Sequence, residues 1–513
     1  MNELDRHQRL HVVDMARRLR AGGIDRRGFM RAAGAAGFGF GCARYLAGGG
    51  AAGRATAAEQ RAADAPLPPS GLTDDQRHFL RDVGRGFKGT RIRVISENTP
   101  PGVIIGRMIR EEFTPLTGIE VDWQPVPLDQ VLARTVADTL AGADGAKGRN
   151  DIYYWDQVWL ARFADESVGI AELLDKRDLA YPGYDFPDFL PQLVEATASY
   201  DGRIVGVPFD IPIFIMMYRK DILDGLNLAV PTTMRDYLEV VRAIDAAKRG
   251  SGVHGTCGQW KTGHFSLQCD ASAWLWSHGG HHFNADDRPD YVTDANARGL
   301  EYMLALGRHM SPDVRSWDWD GQAEAFTQGR AGIVISWSEF FPACDDAATS
   351  KVVGLVEAAD CPREEALLTP QECGFHETPG ISRQGGSCLA LSRHAPHPDA
   401  AWIFMQWATS ADVTARANAA GADTPVRTSN YGDPRVTAKG VVTTGTTRHF
   451  AVTRRSIEGR MGTSPHLPGW VTLANEVNAA ELGRLTTGRQ GIAETLRALQ
   501  DKTVAFLAAN PSR

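Results

Sequence analysis

The chain has 513 residues, of which 43% are hydrophobic and 23% charged. That is the balance of a folded globular protein with room for two or three domains, and it excludes a disordered tail protein or a collagen-like rod. The net charge of -7 hides an asymmetry, because residues 1–57 carry 10 Lys/Arg against 4 Asp/Glu and leave 45 against 58 in the remainder. So acidic a body repels phosphate backbones, which excludes nucleic acid as an expected partner.

In chain order, the first feature is Arg26-Arg27-Gly28-Phe29-Met30-Arg31 ahead of a mild apolar run from Ala32 to Cys42. Paired arginines before a Gly/Ala-rich segment predict an export signal of the twin-arginine type, and hence a periplasmic protein. Residues 1–57 are read as this signal. Ala55-Thr56-Ala57 fits a small-x-small cleavage site, while Gly41-Cys42 leaves lipid anchoring through Cys42 open. Residues 58–85, with Pro66, Pro68 and Pro69, read as a flexible leader. No later stretch offers the ~18 apolar residues of a membrane span. Six cysteines follow Cys42 without a C-x-x-C spacing, so disulfides and free buried thiols are both open.

Arg91 to Ser96 alternates and is β-rich; a helix over 103–114 should end at Pro115. Ile119 to Trp123 is a second strand, Leu128 to Leu140 a second helix, and Asp151 to Trp155 a third strand. This rhythm is that of βαβ units in an α/β sheet, whose ligands sit at the carboxyl ends of strands. Ser96-Glu97-Asn98 and Trp155-Asp156-Gln157 therefore fall at the expected binding edge. Pro212 marks a crossover rather than a central strand. Asp320 is expected to cap a helix over 321–328, and Ile333 to Trp337 is a strand with an aromatic at its carboxyl end. His278, His281 and His282 lack a further ligand at metal spacing and read as a solvated loop. No nucleophile elbow, zincin, P-loop or dinucleotide motif occurs, so neither a catalytic residue nor a cofactor is expected.

Five segments, in order, resemble one family. Asp151 to Ala164, Tyr200-Asp201-Gly202-Arg203-Ile204-Val205-Gly206-Val207-Pro208, Met217 to Asp221, Phe326 to Ile333, and Gly385 to Ser392 with Ala400 to Phe404 look like the extracellular solute-binding proteins of ABC importers. The match is to the carbohydrate-binding family that includes the maltose binder. The resemblance implies two α/β lobes joined by hinge crossovers, closing on ligand like a clamp. The first lobe would take roughly 86–211 and 383–430, the second roughly 212–382 and 431–513. It further implies a monomer that performs no chemistry and delivers a neutral sugar or polyol to importer membrane subunits. An organic cation is the alternative cargo, since the body is acidic and rich in Trp; an exported carbohydrate-active enzyme is the rival of another class.

A polyol needs aromatic faces for its C–H surface and carboxylates or amides for its hydroxyls. By resemblance, Trp155 is a ligand-contacting ring, with core packing as the alternative. Asp156 either accepts hydroxyls or caps the next turn. Glu97 ends the first strand in a ligand loop, and Asp210 is either a ligand contact or a hinge salt bridge. In the second lobe, Trp337 and Glu339 follow the aromatic-bearing strand. Trp260 and His264 belong to a polar binding loop, Asp270 stands where the family places aromatic contacts, and Gly386 lies in the Gly-Gly segment. Trp274 and Trp276 are expected in a helix core, and Trp319 stays open as a ligand cover.

Overall fold

The computed structural model describes residues 57–143, 148–363 and 368–510. Arg26-Arg27, Cys42 and the proposed cleavage site up to Thr56 lie outside the described residues. In chain order the strands are β1 (Arg91–Glu97), β2 (Glu120–Val126), β3 (Ile152–Asp156), β4 (Ser199–Tyr200), β5 (Arg203–Ile204), β6 (Val207–Asp210), β7 (Phe214–Arg219), β8 (Ile333–Trp337), β9 (Val356–Ala359), β10 (Ser382–Arg383), β11 (Ser387–Leu391) and β12 (Met461–Gly462).

The chain divides into two α/β units. The first takes the described residues up to Phe209 together with Ser387–Ala422, the second Asp210–Gly386 together with residues from Asp423 on. The first unit is built on a five-stranded sheet of order β2-β1-β3-β11-β6. β1 lies parallel to both β2 and β3, as βαβ connections require, whereas β11 returns antiparallel to β3. Every residue of β3 is buried, the pattern of a strand covered on both faces. Gly206 lets the chain approach β11: a Cβ there would stand 2.5 Å from the Cys388 sulfur and 2.9 Å from the Leu389 carbonyl oxygen.

The second unit has a three-stranded antiparallel sheet of order β8-β7-β9 and a parallel pair, β10 with β12. Pro212 falls in the break between β6 and β7, so the central strand β7 starts only after it. A cluster of buried apolar side chains, including Phe214, Tyr237, Ile244, Leu267, Trp274 and Leu300, forms the core of this unit.

Local expectations are corrected at three places. The helix foreseen over 103–114 starts at Pro100 and continues through a π-helical stretch, Ile109–Phe113, into a final turn, Thr114–Thr117. Pro115 falls directly after the π-helical stretch, and Gly118 at φ 69° ends the last turn. Asp318, not Asp320, caps the helix Trp319–Thr327 by accepting from the Gly321 N–H at 3.2 Å. Residues 58–85 are no flexible leader. Helices Ala57–Asp64 and Asp74–Phe87 form there, the second opened by a Thr73/Gln76 capping box. Polar contacts then tie the segment down: Gln76 donates to the Pro182 carbonyl, Gly71 N–H to Asp412, and Arg416 to the Pro68 carbonyl.

The six cysteines after Cys42 are buried, and among the described residues no disulfide joins them. Burial pushes the Cys361 and Cys373 thiols up to about 12. A native disulfide would contribute about 2–4 kcal/mol, so dithiothreitol is expected to leave the thermal melting profile unchanged. A drop of several degrees on reduction would contradict the free-thiol state.

Candidate functional site

The first unit places its candidates at the carboxyl ends of β1 and β3. Glu97 ends β1 half-buried, and the turn after it is tight: a Cβ on Gly102 would lie 2.7 Å from the Glu97 carbonyl oxygen. Trp155 is 0% exposed. Its ring stacks with Tyr153 at 6.1 Å and with Phe163 at 5.7 Å, so its faces are committed to packing. Its Nε1–H, however, has no hydrogen-bond partner among the described residues. Asp156 accepts from the Val158 N–H at 3.1 Å and caps the turn Gln157–Trp159. Next to it, Gln157 is 1% exposed, and neither its Oε1 nor its Nε2 has a partner among the described residues. A buried amide left unmade costs about 1–3 kcal/mol, which makes Gln157 a candidate that the residue-type argument passed over. Its signal was position alone, one residue past a strand's carboxyl end.

In the second unit a hydrogen-bond chain links three of the expected residues. Trp337 Nε1–H donates to Gln259 Oε1 at 3.1 Å, and Gln259 donates through Nε2 to Asp270 Oδ1 at 2.9 Å. Trp260 Nε1–H and the Gln259 backbone N–H both donate to Asp270 Oδ2. Burial raises the Asp270 carboxyl to about 6, against the pull of these donors. Trp260 and Trp337 are themselves buried, and Phe214 meets the Trp337 ring edge-on at 4.3 Å. The structure thus brings Trp260, Asp270 and Trp337 together through Gln259, a residue that the sequence alone did not single out. His264 caps the helix Phe265–Trp276, accepting at Nδ1 from the Ser266 N–H, and its ring meets Trp319 at 4.8 Å. Burial, then the Lys261 charge, holds His264 below the usual imidazole range. Glu339 is half-buried in the turn Ser338–Asp345. Gly386 N–H donates to Gln384 Oε1.

Asp210, at the end of β6, is buried beside Asp423. Burial first, and then the Asp210 charge, raises Asp423 to about 8, while Ser338 Oγ donates to it at 2.8 Å.

The profile of the family described as bacterial extracellular solute-binding protein matches residues 97–415. The chain belongs to the bacterial extracellular solute-binding proteins. Among curated relatives, a probable amino-acid ABC transporter periplasmic-binding protein (y4oP) of Sinorhizobium fredii is 21% identical over 381 residues, 72% of this chain and 80% of that one. Among solved structures, an ABC transporter solute-binding protein of Agrobacterium radiobacter in complex with ribitol shares 23% identity at a TM-score of 0.69. It covers 82% of this chain and 99% of its own. Maltose-bound MalE3 of T. maritima gives 20% identity and a TM-score of 0.67, over 82% and 100% of the two chains.

Two remaining constellations are structural in this solute-binding protein. Ser272, His282 and Glu377 stand in series, Ser272 Oγ 3.3 Å from His282 Nε2 and His282 Nδ1 2.6 Å from Glu377 Oε1. The order is that of a nucleophile, base and orienter, yet all three are 0% exposed and Gln268 also holds His282 Nε2 at 2.9 Å. The expectation of a solvated His281-His282 loop is therefore corrected: His282 lies in the core because Glu377 takes its ring and its backbone N–H. His281 pairs with Asp290 at 2.8 Å. Among the described residues no group of three or more His, Cys, Asp and Glu is placed to hold a metal ion, and no helix is long and apolar enough to cross a membrane.

Proposed function

We propose that this chain is the substrate-binding component of an ABC importer, capturing a sugar or polyol and handing it to the membrane subunits. The observation that supports this most is the match to the solute-binding family over residues 97–415, joined to likeness with structures holding ribitol and maltose. In this reading the protein is an exported monomer with a twin-arginine signal and performs no chemistry. The contacts proposed in the first unit, taken by itself, are Glu97, Asp156 and Gln157. Trp155 contributes its unpaired N–H rather than a stacking face. Ligand favours one conformation by its differential affinity for it.

The test is a thermal-shift screen of the protein starting at Ala58 against sugars, polyols, betaines and polyamines. A true ligand at 100-fold its dissociation constant adds ~2.7 kcal/mol and is recovered unchanged. Gln157→Ala is expected to weaken that ligand at least about tenfold, the order of one hydrogen bond between buried partners. Stabilisation by cations alone, consumption of the compound, or silence across the panel would each refute the reading.

A further inference from the structure

Arg383 is 1% exposed at the end of β10. Its guanidinium lies over the rings of Phe265 and Trp337, at 5.5 and 5.7 Å. Nη2 donates to Ser464 Oγ at 2.8 Å and Nη1 reaches the Gln384 carbonyl only at 3.5 Å, while Nε–H has no partner among the described residues. A guanidinium keeps its charge at every physiological pH, and a buried charge is costly unless paired.

Two further arginines with little-exposed side chains obey that rule. Arg416 is held by Glu112 at 3.0 Å, and Arg448 by Glu357 at 2.8 Å and by Asp345. Among the described residues Arg383 forms no salt bridge with a carboxylate, although its charge acts on Asp270 through space. The nearby acid, Asp270, spends its oxygens on Gln259 and Trp260 instead. The cation also overlies the ring of the tryptophan that closes β8.

We propose that Arg383 receives a carboxylate of the ligand, so that the cargo is an acidic polyhydroxylated compound, a sugar acid of the aldonate or uronate type. This deepens the sugar-or-polyol reading and rests on it. One guanidinium matches one carboxylate in a forked pair. A phosphate dianion would leave a second negative charge unmatched there, beside Asp270.

Isothermal titration of the unmodified protein against matched pairs tests it: D-galacturonate with D-galactose, D-gluconate with D-glucitol, D-ribonate with ribitol. L-Glutamate and galactose 6-phosphate are run beside them. One sugar acid is expected to bind about 10- to 100-fold more tightly than its neutral partner, the range of a charge-assisted hydrogen bond. Arg383→Gln should collapse that difference and Arg383→Lys should keep part of it, each checked for folding by circular dichroism. The wild-type comparison stands even where a variant fails to fold. Equal affinity within each pair, preference for the neutral member or the phosphate, or no binding at all overturns the proposal. Preference for glutamate alone leaves the carboxylate assignment to Arg383 standing and refutes the sugar reading.

Discussion

Replacing Glu377 by Ala is expected to lower the unfolding free energy of the second unit by about 3–5 kcal/mol, the range for removing one partner from a buried charged network. The carboxylate is fully buried. It accepts from Trp276 Nε1 at 2.6 Å, from the His282 N–H at 3.1 Å and from the Phe283 N–H at 3.2 Å, and it holds the His282 ring. Alanine leaves those donors buried without an acceptor, and water cannot reach them without opening the core. Glu377→Gln keeps the shape but turns an NH2 toward other donors, so it should cost a smaller part of the same loss. Urea unfolding followed by tryptophan fluorescence measures both. A loss under about 1 kcal/mol for Glu377→Ala would show that the network contributes little.

The second large effect is on pH dependence. Asp423 is raised to about 8 in the folded chain by burial and by Asp210, against about 3.9 when unfolded. Between those values the folded state keeps a proton that the unfolded state releases, so rising pH favours unfolding. The stabilising contribution is complete below about pH 4, declines as pH rises, and is gone above about pH 8. With tenfold in an equilibrium equal to about 1.4 kcal/mol, the decline is on the order of 2–5 kcal/mol. Asp423→Asn still accepts from Ser338 Oγ and carries no charge beside Asp210. Its stability should match the parent near pH 4 and exceed it at pH 8. Chemical unfolding across pH 4–9 reads this directly, and parallel curves for parent and variant would refute it.

Much of the architecture was readable from local pattern. The alternation in Arg91 to Ser96, the β-rich runs at 119–123 and 151–155, and the turns between them specify parallel βαβ units, because side-chain period and turn chemistry act within a few residues. Five segments in family order pointed to two α/β lobes, and the position of Trp155 and Trp337 at strand carboxyl ends was visible as spacing. Other readings failed where contacts from afar decide. Residues 58–85 look like a proline-rich linker until Asp412 and Arg416, over 300 positions away, bind their backbone. His282 looks like a loop residue until Glu377, 95 positions on, draws it into the core.

What the sequence determined by itself was the α/β class, the strands of the first βαβ units and the residue types at their carboxyl ends, all legible in short-range pattern. The tertiary structure alone decided how those residues are used. Tyr153 and Phe163 take the faces of Trp155, Gln259 takes the N–H of Trp337, and Gln157 and Arg383 are left with buried groups that have no partner among the described residues. Pairing of that kind depends on which distant segments the packed core brings within 3 Å of one another, and hydrophobic period carries no record of it.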